Sequence, residues 1–201
     1  MLCFGTIQAQ QKIEKHLSFS GKTDVELNIQ IADSIFVQTW NKNEVYAEAS
    51  VNINDNTDNE AYVTSFEENG DGVKVNARFK ENYFKGRNDC CNKSDIWWRV
   101  FIPENTNVTI ETINADLTIK GETGRMNLKS ISGFIDMAVP EKRSANLDFS
   151  TISGTIYSDL RLTPENNGSG VPVKIKDKMN NGGSQIKLET ISGDIFFRKS
   201  D

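Results

Sequence analysis

The sequence has very few of the residues on which most catalytic and metal sites depend. Its 201 residues include one histidine, three cysteines and four prolines. A hydroxyl or thiol nucleophile needs a neighbouring base, and that base would have to be His16, close to the N-terminus. A structural zinc site needs about four Cys or His ligands at suitable spacing. The sequence therefore predicts no catalytic residues, no metal site and no cofactor.

An excess of positive charge and a long apolar run are also absent. The formal net charge is −5 at pH 7, whereas proteins that bind nucleic acids present basic patches to the phosphates. No stretch approaches the roughly 18 apolar residues of a membrane-spanning helix. We therefore expect a partner other than nucleic acid, and a chain that does not span a membrane.

A short phrase recurs along the second half of the chain. It reads Ser-Ile-Ser-Gly at 130–133 and Thr-Ile-Ser-Gly at 151–154 and 190–193, with a weaker copy, Thr-Ile-Asn-Ala, at 112–115. From one isoleucine to the next the steps are 18, 21 and 39 residues, and the last is close to two steps. A period near 20 residues is typical of stacked structural units.

The residues around each copy alternate between apolar and polar, which is typical of a strand with one buried face. Because the apolar positions change parity at the motif, each unit is predicted to be two strands joined by a bend. We expect the three motif glycines, Gly133, Gly154 and Gly193, to occupy corners that are closed to a side chain. We also expect a ladder of isoleucines in the core, formed by Ile113, Ile131, Ile152 and Ile191.

The first half is also predicted to be β-structure. Residues 25–31 and 45–53 alternate with a period of two, and Asn-Gly-Asp-Gly at 69–72 is typical of a hairpin turn. The prediction is an all-β fold, a small β-solenoid-like stack of strand repeats in which the β-rich N-terminal half shares the same core. The alternative is a β-sandwich with similar hairpins.

We predict a single domain over 11–201, made of an N-terminal β half at 11–102 and a Ser-Gly repeat half at 103–201. Residues 1–10 begin apolar and small and turn polar after Ala9, as at the end of a secretory signal peptide. This segment is therefore predicted to be a signal-peptide remnant. The mature protein would begin near Gln10 and be exported to the periplasm or cell surface.

The repeated motif resembles the bacterial "putative adhesin" family of exported β-strand-repeat proteins, formerly catalogued as a domain of unknown function. The resemblance rests on Leu-Glu-Thr-Ile-Ser-Gly-Asp-Ile at 188–195 and Ala-Asp-Ser-Ile-Phe-Val-Gln-Thr-Trp at 32–40, and it extends over most of the chain after about residue 18. It implies an exported β-repeat fold and supplies no catalytic residues. The copy at 112–115 departs from the pattern because it lacks glycine.

Three groups of polar residues are candidate chemical sites. Cys90 and Cys91 are adjacent, and in an oxidising compartment they could close a disulfide that stiffens a loop. Free thiols are the alternative, and redox or metal chemistry is less favoured. Asp116 and Asp194 follow equivalent corners, but we expect solvated carboxylates there rather than a glycosidase pair. The acidic segment 55–60 lacks the glycine and distal glutamate of a calcium loop, which favours a solvated turn.

Aromatic residues give the candidate interaction surface. Trp97 and Trp98 are adjacent on a predicted strand and should face opposite ways, while Tyr83 and Phe84 lie on the preceding loop. Exposed aromatic side chains could stack on a sugar or anchor a protein partner. The alternative is that they only cap the end of the stack.

The function predicted from these features is that of a non-enzymatic exported structural or interaction protein, adhesin-like, whose partner is a cell-envelope protein or glycan. One alternative is an envelope-associated sensor or regulator that binds a small ligand. A carbohydrate-active β-helix enzyme is less favoured, because the repeats place no acidic and basic side chains in register.

Overall fold

The computed structural model describes residues 10–85, 93–162 and 172–200, and nearly all of them lie in strands or tight turns. The strands of the first half are β1 (Gln11–Ser18), β2 (Asp24–Ile29), β3 (Ile31–Trp40), β4 (Glu44–Ile53), β5 (Tyr62–Glu68), β6 (Gly72–Phe79) and β7 (Ser94–Pro103). Those of the second half are β8 (Asn107–Lys120), β9 (Met126–Ser132), β10 (Ile135–Val139), β11 (Ala145–Ser153), β12 (Ile156–Ser158), β13 (Val173–Met179), β14 (Ser184–Ser192) and β15 (Ile195–Lys199). One 3₁₀ turn, Asn59–Ala61, precedes β5. The all-β prediction is confirmed.

The strands form one continuous sheet that folds at corners into two faces. Face A has the order β5, β6, β2, β8 (residues 107–112), β9, β14, β11, β13. Face B has the order β1, β4, β7, β3, β8 (residues 114–120), β10, β15, β12. Each coil of the stack crosses face A, turns a corner and crosses face B.

The coils do not stack in the order of the chain. Within the described residues six coils can be followed, in the spatial order β6/β7, β2/β3, β8, β9/β10, β14/β15 and β11/β12, and all are parallel to their neighbours. The coil nearest the C-terminus therefore lies between two coils that precede it in sequence. Antiparallel strands extend the ends: β5, β4 and β1 at one end, and β13 at the other.

A single apolar core runs between the two faces and through both halves of the chain. The period-two apolar residues of every coil point inward, so that Val75, Leu27, Ile110 and Leu128 follow one another across face A with no exposed surface. The ring centroids of Phe149 on face A and Phe197 on face B are 4.9 Å apart, which shows direct packing across the core. The β-solenoid-like prediction is thus confirmed.

Each corner is closed by backbone that packs directly on the next coil. An added Cβ on Gly133 would overlap the carbonyl oxygen of Ala115, one on Gly193 would overlap that of Gly133, and one on Gly154 would overlap that of Gly193. Gly133 also has a φ of 96°, which L-residues rarely adopt. The three motif glycines therefore stack on one another in the spatial order of the coils.

The predicted isoleucine core ladder is wrong. Ile113, Ile131, Ile191 and Ile152 do align in one row, but they point outward, and their exposed fractions are 44–50%. The inside of each corner is instead occupied by the preceding small residue, as shown by the buried side chains of Thr112, Ser130, Thr190 and Thr151.

The reason is the room available inside a corner. Stacked backbone fills it, and three of the four buried hydroxyls bond to backbone carbonyls there. Thr151 Oγ1 donates to the Gly193 oxygen at 3.0 Å, Ser130 Oγ to the Ser132 oxygen at 2.8 Å, and Thr112 Oγ1 to the Gln30 oxygen at 3.3 Å. A branched four-carbon side chain does not fit in that space. The parity change is therefore made by a corner whose isoleucine lies on the convex side.

Candidate interaction surfaces

The structure separates the four aromatic residues that the sequence grouped together. Trp98 is 2% exposed and belongs to the core, where its indole Nε1 donates to the Tyr62 hydroxyl at 3.1 Å. Its inclusion in an interaction surface is therefore wrong, because strand alternation turns it inward. Trp97, its neighbour, is 54% exposed on the outer side of face B.

Tyr83 and Phe84 lie elsewhere, beside β6 of face A. The Tyr83 ring stacks on Phe79 with a centroid distance of 5.1 Å, and Phe84 contacts the same ring at 4.8 Å. The Tyr83 hydroxyl also donates to Asp58 Oδ2 at 2.9 Å. These contacts anchor the loop to the core, and Phe84 keeps a large exposed surface.

Trp97 belongs instead to a broad set of aromatic side chains on the outer side of face B. We call this the aromatic surface, and it consists of Phe36, Trp40, Tyr46, Trp97 and Phe101. Trp40 stacks on Phe101 at a centroid distance of 5.2 Å, and Tyr46 lies 6.1 Å from Phe101. Trp40 is fixed by its indole nitrogen, which donates to the Glu44 carbonyl at 2.8 Å.

Polar side chains lie between these rings. Arg99 stands between Glu48 and Phe36 in the strand register, and Gln38 is opposite Phe101. With Ser34, Ser50 and Trp97 they line a shallow depression of about 510 Å³. Flat rings and hydrogen-bonding groups thus alternate across one strand-built surface.

The Tyr46 hydroxyl is held as a hydrogen-bond donor at the edge of this surface. Its single proton points to Glu14 Oε1 at 2.8 Å and is shared with Glu48 Oε2 at 3.2 Å. The bond to Glu14, followed by desolvation and by the charge of Glu48, raises the pKa of Tyr46 to about 12. Nearby, the Lys42 ammonium lies 4.4 Å from the Trp40 ring centroid, within cation–π distance.

A second surface lies over the outward isoleucines. Ile113, Ile131, Ile191 and Ile152 form the floor of a groove with a volume of about 900 Å³. We call it the isoleucine groove. It follows the convex side of the corners and is walled by the outer side of face A, from Arg78 on β6 at one end towards Pro172 at the other.

The remaining polar candidates have structural roles. Asp116 Oδ1 accepts from the Phe134 amide at 3.2 Å, and Asp194 Oδ1 accepts from the Thr155 amide at 2.8 Å. Each carboxylate thus joins its coil to the next one, and the two lie two coils apart. They do not face a common cleft.

His16 lies on β1, not in a terminal tail, and its Nδ1 is 3.2 Å from Glu44 Oε2. The acidic segment 55–60 forms a turn closed by its own side chains, for example by Asn59 Nδ2 donating to Asn56 Oδ1 at 3.0 Å. Within residues 10–85, 93–162 and 172–200 no three His, Cys, Asp or Glu side chains gather as metal ligands would. Cys90, Cys91 and residues 1–9 lie outside the described residues, so the predictions made for them stay predictions.

Sequence reasoning missed both surfaces as they stand. The aromatic surface could have been found from parity, because Phe36, Tyr46 and Phe101 each fall between two inward residues of β3, β4 and β7, and Trp40 has the same parity as Phe36. The isoleucine groove had a signal too: every motif places a small hydroxyl residue next to its isoleucine, and only one of the two can face inward.

The comparisons with known proteins agree with this architecture. Residues 106–197, a little under half of the chain, match the family model described as Toastrack DUF4097. This part of the chain is similar to the Toastrack DUF4097 domain. The match confirms the family resemblance found in the repeated motif, and the matched residues include all four isoleucines of the groove.

Solved structures extend the likeness beyond the Toastrack domain. The structure described as "a putative cell adhesion protein" from Clostridium sporogenes ATCC 15579 aligns with 96% of this chain and 100% of its own, at 9% identity and a TM-score of 0.64. A "putative adhesin" from Bacteroides fragilis NCTC 9343 aligns with 96% of this chain and 98% of its own, at 8% identity and a TM-score of 0.28. Only the first score supports a shared fold. No curated protein matches the chain, and the described residues contain no helix with the length and hydropathy of a membrane span.

Proposed function

We propose that this protein is an exported, non-enzymatic, adhesin-like binding protein that holds a saccharide on its aromatic surface. The observation that carries the proposal is the pairing of one exposed and four partly exposed rings with polar side chains on one sheet. The name given to the Clostridium structure, a cell adhesion protein, is in keeping with this role. A role in adhesion also requires export, to the periplasm or the cell surface.

The geometry suits a chain of sugar rings. Trp97 and Phe101 are four residues apart on the same side of β7, which separates their Cα atoms by roughly 13 Å. Pyranose rings present C–H groups to aromatic faces and hydroxyls to the groups around them. Arg99, between the two rings, makes no ion pair with any described residue, and so its guanidinium is free to bond to hydroxyls.

The Trp97 ring is held in place for such contacts. Its indole nitrogen donates to Asp95, which fixes one edge of the ring and leaves the rest exposed. Ordered aromatic platforms lose little conformational entropy on binding, and this lowers the cost of recognition. An enzyme would need a nucleophile or an acid–base pair converging in a cleft, and the aromatic surface is a shallow depression.

A glycan array tests the proposal. We expect wild-type protein to bind a subset of glycans and Trp97→Ala to weaken that binding by about tenfold, since one lost stacking contact is worth about 1–1.5 kcal/mol. Phe84→Ala, which removes an exposed ring on the other face, is the matched control and should bind like wild type. Binding that Trp97→Ala leaves unchanged would exclude this surface, and turnover of a bound glycan would contradict the non-enzymatic role.

Fractionation of cells that express the gene with its native upstream region tests export. We expect the protein in the periplasmic or surface fraction. Recovery of the whole population in the cytoplasm would contradict this part of the proposal.

A further inference from the structure

The isoleucine groove is independent of the aromatic surface and differs from it in chemistry. Its floor is four aliphatic side chains in a row that are close to half exposed, and none of the described residues that line it is aromatic. Its volume of about 900 Å³ lies within the range of small-molecule sites. A contiguous row of large apolar residues on a protein surface often marks a binding site.

An extended peptide is a poor fit, because the isoleucine row itself offers no free strand edge. Each strand under the four isoleucines (β8, β9, β14 and β11) is hydrogen-bonded on both sides. Peptides that join sheets do so through an unpaired edge. A peptide lying across these strands would leave backbone groups without partners as it buried itself, which costs free energy.

A second copy of the chain is also a poor fit. Four half-exposed isoleucines present only a few hundred Å² of apolar surface, whereas a stable dimer buries about 800 Å² per partner. An acyl chain has no hydrogen-bonding groups to satisfy, and it needs only a narrow apolar track.

The charges near the groove favour an anionic head group at one end. Glu111, Lys129 and Glu189 are neighbours in the strand register of face A, so the cation lies between two carboxylates. Arg78 stands apart at the β6 end, beside Gln30, and forms no ion pair with any described residue. Its guanidinium is the cation available to a carboxylate that enters the groove.

We propose that the isoleucine groove binds a free fatty acid, with the acyl chain along the isoleucine row and the carboxylate at Arg78. The four isoleucines cross three strand spacings, about 14 Å, and the row from β6 to β11 crosses five, about 24 Å. Chains of about twelve to eighteen carbons match that range. The isoleucine groove and the aromatic surface share no residue, so a test of this proposal does not test the saccharide proposal.

The direct test uses octanoate, dodecanoate and hexadecanoate below their critical micelle concentrations. Isothermal titration calorimetry measures affinity, and the methyl NMR signals of isoleucine locate the site. We expect saturable binding that tightens by at least about tenfold from octanoate to hexadecanoate, because each added methylene is buried. The shifted methyl signals should be those of the four groove isoleucines.

Two variants test which residues contact the acyl chain and which contact the carboxylate. Ile191→Ser should weaken hexadecanoate binding about tenfold, while Phe134→Ser, an exposed apolar residue outside the groove, should leave it unchanged. Arg78→Gln should weaken dodecanoate binding about fivefold or more. The same variant should not affect tetraethylene glycol monododecyl ether, which has an uncharged head group.

Several results would overturn the proposal. These are no saturable binding of any of the three acids, equal affinity in wild type and Ile191→Ser, or shifts confined to isoleucines outside the groove. Dimerisation of the ligand-free protein that Ile191→Ser abolishes would mean that a second copy covers the row. Attachment to phospholipid vesicles without binding of free acid would assign the groove to a membrane surface instead.

Discussion

Leu188 and Ile191 are three residues apart in the same coil, and they have opposite surroundings. Leu188 has no exposed surface, whereas Ile191 is 47% exposed. Each has an apolar counterpart in every coil of the second half: Ile110, Leu128 and Phe149 for Leu188, and Ile113, Ile131 and Ile152 for Ile191. The comparison teaches that a repeated aliphatic residue in a solenoid is not necessarily a core residue, because a flat strand and a corner offer different amounts of room.

We call the buried residues aligned with Leu188 the inner row. The largest loss of stability should follow from truncating one of its side chains. Leu188→Ala removes three carbon atoms from a fully buried site between Leu128 and Phe149. We expect a loss of about 2–5 kcal/mol in the free energy of unfolding, from lost transfer energy and the cavity left behind. Urea denaturation followed by circular dichroism measures it. A loss below about 1 kcal/mol would show that the inner row is not packed as described.

The corner backbone should be nearly as sensitive. Gly193→Ala places a Cβ against the carbonyl oxygen of Gly133, which cannot move without shifting a whole coil. We expect a loss of more than about 1 kcal/mol in thermal or urea unfolding. Gly70→Ala is the control, since an added Cβ there meets nothing within 4 Å. Equal stability of the two variants would contradict close stacking at the corner.

A smaller difference should separate two buried threonines that neighbour each other across β11 and β14. Thr151 Oγ1 donates to the Gly193 oxygen at 3.0 Å, while Thr190 Oγ1 is buried without a partner among the described residues. Thr151→Val should therefore cost about 1 kcal/mol, and Thr190→Val should be neutral or slightly stabilising. Urea denaturation of both variants measures the difference. A larger loss of stability for Thr190→Val would mean that the stabilising hydrogen bond is made by Thr190 and not by Thr151.

The smallest loss of stability should come from truncating one of the four isoleucines of the groove. Ile152→Ala shortens a side chain that is half exposed, and we expect a change of less than about 0.5 kcal/mol in the free energy of unfolding. The measurement is the same melt used for Leu188→Ala. A loss of stability as large as that of Leu188→Ala would show that the isoleucines are buried in the core and do not form a groove.

Much of the fold could be predicted because period-two alternation reports one buried face directly. In 45–53 and in the strands before each motif, the alternate apolar residues lie inward as the pattern predicts. The motif glycines also marked the corners. Glycine at a fixed place in a repeat indicates close backbone approach whichever way its neighbours point.

Two features were not predicted, for separate physical reasons. Alternation defines sides only along a straight strand, and a corner breaks that relation, so the prediction that Ile131 and Ile191 face inward was wrong. Coil order depends on contacts between residues far apart in sequence, and the motifs are too alike to specify which coil neighbours which. Parity alone turns Phe36, Tyr46 and Phe101 outward, but their assembly into one surface depends on the same long-range contacts, since they come from three strands.

The interleaved order of the coils constrains how the stack can form as the chain is synthesised. The coil β11/β12 precedes β14/β15 in sequence, yet among the described strands it pairs with the earlier coils through that later coil. A growing chain can therefore stack its coils as far as β9/β10 before residues 184–199 have been made. Until then β11 lacks its parallel neighbour, and β14/β15 must insert between β9/β10 and β11/β12 to complete this part of the stack. Synthesis that stops before residue 184 would leave β9 and β11 without the strand that joins them.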